Sequence, residues 1–331
     1  MTDPSNSRNH LTVAVTGVGA IIGQGIIRSL RKCRQAVRIL GIDRSSDSIA
    51  PHICDTFRTK PPCDEADMEY LEFWQQLLVD ESVDLVLPGI EIDLYFLNDN
   101  REALSASGTN LCLNTPDLID LARDKWRLAS ALPDTPGLSP IPGMKDTDWK
   151  ECISALGPPP LLLKPIQGNG SRGIIRLENE NDYNYWSNKA TDAFMIQKIV
   201  GSDGEEFTVG AFGLGNGESV KPITFRRLLS RDGNTSYAEV IEDPVIENAT
   251  RQLDEYFRPI GPTNYQFRKE NETAYLLEIN PRLSSSSSLR TCFGYNEVQM
   301  ALDFYLYQRI PDMPAINPGR GWRYAEDFVL L

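Results

Sequence analysis

The chain has 331 residues, enough for two or three compact units, each able to bury its own core. Its hydrophobic share of 41% and charged share of 24% are those of a water-soluble globular protein, and no run of 18 apolar residues offers a membrane span. The formal net charge of -13 excludes non-specific binding to nucleic acid or to anionic membranes, both of which need a basic surface.

Six cysteines are scattered without a C-x-x-C pair, and the only histidines are His10 and His52. That leaves no material for a zinc site or a Ser/His/Asp nucleophile. Residues 1–10 are polar and lack an apolar signal core, so they are read as a lead-in, and reduced thiols fit a cytoplasmic protein.

Residues 11–16 form a buried-strand pattern running into Gly17-Val18-Gly19 and Gly23, then a helix through Leu30. A second strand ends in Asp43, an amphipathic helix covers residues 69–79, and a third strand covers residues 83–88. Strand, glycine turn, helix and strand in repetition predict a doubly wound parallel α/β domain over residues 1–112. Asp43 lies where a dinucleotide's ribose acid would sit, but the glycine spacing is one residue longer than G-x-G-x-x-G. Two readings stand for this turn: a nucleotide-dependent oxidoreductase or epimerase, or a tight strand-to-helix turn holding a substrate anion.

A helix is expected over residues 116–132, and the prolines of residues 133–142 mark a connection. Leu161-Leu162-Leu163-Lys164 then reads as a buried strand. It leads into the loop Gln167-Gly168-Asn169-Gly170-Ser171-Arg172-Gly173 and a second strand over residues 173–177. Because a strand and not a helix follows the loop, this is no P-loop; glycine amides and the Lys164 ammonium suit a lid over phosphates.

Residues 194–200 predict a further strand, with a turn at 201–204 and a strand restarting at Glu205-Glu206. The adjacent Arg226 and Arg227 offer either a grip on an acidic substrate or a surface basic pair. In residues 274–280 strict alternation predicts Tyr275, Leu277 and Ile279 on an apolar face and Leu276, Glu278 and Asn280 opposite. A turn near Asn271 would form a hairpin with residues 264–268 and set Gln266 opposite Glu278. Gln266, Glu278 and Asn280 then present three oxygen donors at one strand end, a set suited to Mg²⁺ completed by nucleotide phosphates. The serines of residues 284–288 directly follow Arg282 and line an acceptor pocket or a solvated loop; Arg290 is open to the same two readings. A helix near residues 297–307 closes the pattern.

Taken in order, Asp124-Lys125, Lys164-Pro165 with the glycine loop, Gln197-Lys198-Ile199-Val200 with Glu206-Phe207-Thr208-Val209, Asn264-Tyr265-Gln266 and Glu278-Ile279-Asn280-Pro281-Arg282 resemble the ATP-grasp family, most closely its carbamoyl-phosphate-synthetase-like branch. The resemblance spans residues 110–310, and the N-terminal unit is similar to a pre-grasp domain. It implies a two-subdomain ATP-grasp fold, an α/β plus α+β architecture, with subdomain A at residues 113–195 and subdomain B at 196–331. It also implies that Lys125 and Lys164 meet the ATP phosphates, with Gly168, Gly170 and Ser171 covering them. Gln197 and the Lys198–Ile199 backbone would meet adenine and Glu206 the ribose, with Glu205 as the neighbouring choice. Gln266, Glu278 and Asn280 would hold Mg²⁺, with Mn²⁺ as a substitute, and Arg282 would face the transferred phosphoryl group.

The implied activity is ADP-forming ligation of a small carboxylate to an amine, through an acyl phosphate. Arg226, Arg227, Ser284 and Arg290 are the substrate candidates, and a homodimer is the assembly the family suggests. Two positions depart from the common pattern: Gln266 and Gln197 stand where many members carry acids.

Overall fold

A computed structural model describes residues 11–145, 147–168, 173–231 and 233–330. The first unit carries strands β1 (Leu11–Thr16), β2 (Val37–Asp43), β3 (Thr56–Thr59), β4 (Leu85–Leu87) and β5 (Asn110–Leu111). They form one parallel sheet of order β3-β2-β1-β4-β5, crossed by helices α1 (Ile21–Leu30), α2 (Ala50–Ile53), α3 (Met68–Asp80), α4 (Glu91–Asp99) and α5 (Arg101–Ser105). The sheet is doubly wound as the strand-helix alternation predicts, and β1 is buried through Thr12–Thr16 because both faces are covered.

The expected helix over residues 116–132 is broken into α6 (Pro116–Ala122) and α7 (Lys125–Ser130). Asp124 ends the first and caps the second, its carboxylate accepting from Arg127 N at 2.8 Å. Strand β6 (Leu138–Pro140) follows, and then a small antiparallel sheet of order β7-β10-β8-β9: β7 (Gly143–Met144), β8 (Leu161–Pro165), β9 (Ile175–Leu177) and β10 (Phe194–Lys198). Helices α8 (Trp149–Leu156) and α9 (Glu180–Lys189) flank it. Its core of Trp149, Cys152, Leu161, Leu163 and Ile196 is separate from the rest.

The largest sheet has the order β16-β13-β12-β11-β14-β15-β6, from β11 (Glu206–Leu214), β12 (Ser219–Leu229), β13 (Thr235–Ile241), β14 (Ile260–Glu270), β15 (Thr273–Asn280) and the late strand β16 (Arg320–Trp322). Every pairing is antiparallel except β15 with β6. Helix α10 (Pro244–Phe257) packs one face together with α6 and α7, through Ile246, Leu253, Leu118 and Leu128. Helices α11 (Ser287–Cys292) and α12 (Glu297–Ala301) pack the other, and α12 continues as a π-helical turn over Leu302–Leu306. Phe212, Phe225 and Val298 on that side share one core with Val13, Val15 and Ile26 of the first unit. The parallel sheet and the large sheet are therefore fused, and the small sheet projects from them on its own core.

Sheet membership moves both boundaries expected for subdomain A at residues 113–195. Residues 113–140 side with the large sheet, because α6 and α7 bury Leu118 and Leu128 there and β6 pairs with β15. At the other end the boundary would cut β10, all of which pairs with β8.

Candidate active site

A cleft of about 790 Å³ opens where the three units meet. Its floor is the hairpin β14–β15, in the register the alternation predicts: Gln266 opposite Glu278 and Asn264 opposite Asn280. The expected single phase along β15 fails, however. Phe267 pairs with Leu276 while Gln266 pairs with Glu278, so Leu277 is an extra residue in a β-bulge. Ala274, Leu276 and Ile279 therefore all face the core, and Leu277 joins Glu278 and Asn280 in the cleft. The predicted apolar face of Tyr275, Leu277 and Ile279 is corrected accordingly.

Two side chains hold the Glu278 carboxylate and a third braces one of them. Gln266 Nε2 donates to its Oε1 at 2.6 Å and Asn280 Nδ2 to the same oxygen at 2.9 Å, while Arg282 Nη2 donates to Asn280 Oδ1 at 3.0 Å. Burial alone would raise the Glu278 carboxyl, but the Lys164 ammonium, the Asn280 amide, Lys125 and Arg282 outweigh it and hold it below its ordinary range. Among the described residues no three His, Cys, Asp or Glu side chains cluster as a self-sufficient metal site. One carboxylate flanked by two carboxamides is a set of hard oxygens that fits Mg²⁺ only with nucleotide phosphates and water as further ligands.

Lys164 closes β8 and is 6% exposed. Burial pushes its ammonium down to about 8, against the upward pull of Glu278. Arriving phosphates would restore the full charge. Lys125, at the first turn of α7, donates to the carbonyl of Gly168, and its own N–H donates to Ile166 O at 3.0 Å. The break at Asp124 thus moors α7 to the start of the glycine loop. Gly168, which lines the cleft, has φ +105°, a conformation that favours glycine. Gly170 and Ser171 lie outside the described residues.

At the outer end Gln197, Lys198 and Ile199 line the cleft with Ile141, Leu162 and Leu277, a slot for a flat ring. Gln197 is 5% exposed, and the N–H of Lys198 is already donated to Pro142 O at 2.9 Å, so it is not available to a base. Glu206 lines the cleft but is 6% exposed and shared by two guanidiniums. Arg227 Nη2 reaches its Oε1 at 3.0 Å and Arg268 Nη2 its Oε2 at 3.1 Å; Arg268 also holds Asp203 at 2.9 Å. Asp203 lines the cleft beside Glu206, a position the residue pattern did not single out. Glu205 is turned toward Lys269, 3.9 Å away.

Of the substrate candidates, Arg227 and Ser284 line the cleft. Arg226 does not: neighbours on a strand face opposite ways, and it pairs with Glu239 at 2.7 Å on the exposed side. Arg290 is also corrected, being fully buried beneath the site. It pairs with Glu297 at 3.1 Å and donates to Asn264 Oδ1 at 2.6 Å, so it supports β14 and is closed to substrate. The inner end of the cleft is formed by the turns before α1 and α4, with Ala20, Ile21, Ile22, Ile90 and Glu91, and faces Ser284, Ser285 and Ser286. Glu91 stands outside every motif in the sequence; its place just after the C-terminal end of parallel strand β4 is the feature that marks it.

Asp43, which suggested a dinucleotide site, is already occupied. Its Oδ2 accepts from Gly19 N and its Oδ1 from Arg44 N, both at 2.7 Å. The turn closes on itself here, and a Cβ at Gly23 would lie 2.3 Å from Gly17 O.

The cleft thus lies between a small antiparallel sheet and a larger one, lined by Lys125, Lys164 and the carboxylate–carboxamide cluster. Residues 191–328 match the family described as "ATP-grasp in the biosynthetic pathway with Ter operon". The fold also matches N5-carboxyaminoimidazole synthetase from Staphylococcus aureus complexed with ADP, at 18% identity and TM-score 0.72 over 92% of this chain and 80% of that one. The biotin carboxylase domain of Hydrogenobacter thermophilus 2-oxoglutarate carboxylase matches at 16% identity and TM-score 0.72, over 93% and 73%. An L-amino acid ligase from Bacillus licheniformis matches at 16% and 0.68, over 93% and 78%. The chain shares the fold of these three proteins, and its residues 191–328 are similar to the ATP-grasp family. Among the described residues no helix is long and apolar enough to cross a membrane.

Proposed function

We propose that this protein is a Mg²⁺-dependent ligase that activates a small carboxylate with ATP and passes the acyl group to an amine, releasing ADP and phosphate. The convergence of Lys125, Lys164, Glu278 and Arg282 around one cleft carries this reading. The comparisons support it, since the three matched proteins include a synthetase, a carboxylase and an amino acid ligase.

Adenine enters the slot at Gln197 and Leu277, and the ribose lies toward Asp203 and Glu206. Lys125 and Lys164 bind the phosphates, covered by the loop beginning at Gly168. Gln266, Glu278 and Asn280 would hold Mg²⁺, which would supply positive charge against the phosphates. The substrate carboxylate attacks the γ-phosphorus, and Arg282 steadies charge on the transferred group. Closure of the loop keeps water from the acyl phosphate. No side-chain nucleophile is required, in keeping with a chain that has only two histidines. A cytoplasmic homodimer is part of the same proposal.

The test is ADP and phosphate release with Mg·ATP against a panel of carboxylates, each with and without amines. Release that requires a carboxylate and an amine together supports a ligase. Mg·ATP binding with no stimulated release by any pair argues for a nucleotide-binding protein without ligase turnover. Binding of NAD(H) and not ATP would overturn the reading.

A further inference from the structure

The matched relatives leave the acceptor's recognition open, and the inner end of the cleft bears on it. We infer that Glu91 receives the acceptor amine, binding it as an ammonium and taking a proton from it to free the lone pair that attacks; the inference rests on the ligase reading.

Glu91 is the first residue of α4 and comes from the N-terminal unit. The turn that presents it is tightly seated. A Cβ on Gly89 would lie 2.1 Å from Thr16 O, and one on Gly17 would lie 2.4 Å from Ile90. With the backbone pinned there, Ile90 and Glu91 line the cleft. The Glu91 side chain is 16% exposed, and its Oε1 accepts from Arg282 Nη2 at 2.6 Å. That same nitrogen donates to Asn280 Oδ1 at 3.0 Å, and Asn280 in turn holds Glu278. Glu91 therefore stands two side chains from the carboxylate assigned to the metal, beside the guanidinium assigned to the phosphoryl group.

The other carboxylates of the cleft serve its outer end and floor: Asp203 and Glu206 are held by Arg268, and Glu278 by its carboxamides. Among the described residues of the cleft, Glu91 is the carboxylate contributed from the opposite wall, where it is paired with Arg282 beside Ala20, Ile21, Ile22 and Ile90. An alkyl amine is an ammonium at neutral pH, so its entry into such a partly apolar pocket needs an anion. The class of acceptor that fits is a primary amine on an aliphatic body.

The step balances as follows. The amine nitrogen attacks the acyl carbon, forming C–N, and the bond from that carbon to the phosphate oxygen breaks. Of the two protons the ammonium loses, one passes to Glu91 and on to solvent. The other leaves with the phosphate as HPO₄²⁻.

The test compares wild type, E91Q and E91D with Mg·ATP, the proteinogenic amino acids as carboxylates and amines, and hydroxylamine as a small nucleophile that is largely uncharged at neutral pH. Hydroxylamine traps the acyl phosphate as a hydroxamate without needing an ammonium site. E91Q keeps an oxygen for Arg282 but loses the charge. The expected result is that its ratio of amide to hydroxamate falls roughly a hundredfold, the lower range for a lost proton acceptor, and that E91D recovers part of it. Parallel loss of both products would show a structural role and overturn the inference, as would an unchanged ratio. Wild type yielding neither product would instead sink the ligase reading, and the inference with it.

Discussion

The two ends of the cleft are built differently. At the nucleotide end the functional side chains sit on paired strands: Lys164 on β8, Gln197 on β10, Gln266 on β14, Glu278 and Asn280 on β15. Each is placed by backbone pairing, and Gln266, Glu278 and Asn280 are fixed further by side-chain hydrogen bonds. At the inner end the lining comes from turns, those before α1 and α4 and residues 284–286 before α11. Turns accept sequence change at little cost to the fold. Under the proposed function, the contrast would put phosphoryl chemistry on the strand-built part and substrate choice on the part built from turns.

The strongest way to break that contrast is at its floor. Glu278→Gln removes the carboxylate of the proposed Mg²⁺ cluster while keeping its size, and Gln266, Asn280 and Lys164 all lose their shared anion. ADP formation should fall a hundredfold or more, about 3 kcal/mol in the barrier. The rise in melting temperature with Mg·ATP should shrink sharply. Near-normal turnover would show that the cluster is not where phosphoryl transfer occurs.

A second comparison sharpens the point within one strand. Arg226 and Arg227 are neighbours of equal charge, yet their side chains are 46% and 6% exposed. Arg227 donates to both Glu206 and Gln266, so Arg227→Ala leaves a buried carboxylate short of a partner and should cost about 3 kcal/mol of stability, with weaker ATP binding. Arg226→Ala removes an exposed pair with Glu239 and should cost about 0.5 kcal/mol, with ATP turnover within twofold of wild type. Urea midpoints and the KM for ATP measured on the two variants separate them. Similar losses from both would mean that strand alternation does not decide the role here.

These residues also show how much the chain disclosed. The parallel domain, the β8–β9 hairpin with its lysine, and the Gln266–Glu278 register were legible because each depends on local alternation and turn residues. The bulge at Leu277 was not, since an extra residue in one strand leaves no mark in its composition. Nor could residue type tell that Arg290 is buried: its carboxylate partner, Glu297, approaches across a turn in three dimensions. Arg226 and Arg227 were read as a pair because their side-chain directions depend on a register the sequence did not fix. The subdomain boundary moved for a similar reason, β6 joining a strand more than a hundred residues later. Glu91 went unnoticed because its importance lies in a partner from another unit.

The smallest expected effect on turnover, none at all, supplies the control for the whole contrast, because it concerns the other face of the floor. Tyr265 alternates with Gln266 on β14 and turns into the core, where its hydroxyl donates to Asp254 Oδ1 at 2.6 Å; Ser219 Oγ donates to Asp254 Oδ2 at 2.7 Å. Burial raises the Asp254 carboxyl from 3.8 to about 6, and these two hydrogen bonds only partly offset it. A carboxyl whose folded value lies above its unfolded one binds more protons when folded between those limits. Stability should therefore decline as pH rises from about 4 to about 6, with the whole cost present above that, at most about 3 kcal/mol. Asp254→Asn keeps an acceptor for Tyr265 and carries no charge, so it should raise the melting temperature at pH 7 by an amount equivalent to about 1 kcal/mol. The advantage should vanish below about pH 4, where the native carboxyl is protonated in both states, and turnover should not change. A loss of turnover in this variant would mean that the core face of β14 reaches the chemistry on its other side.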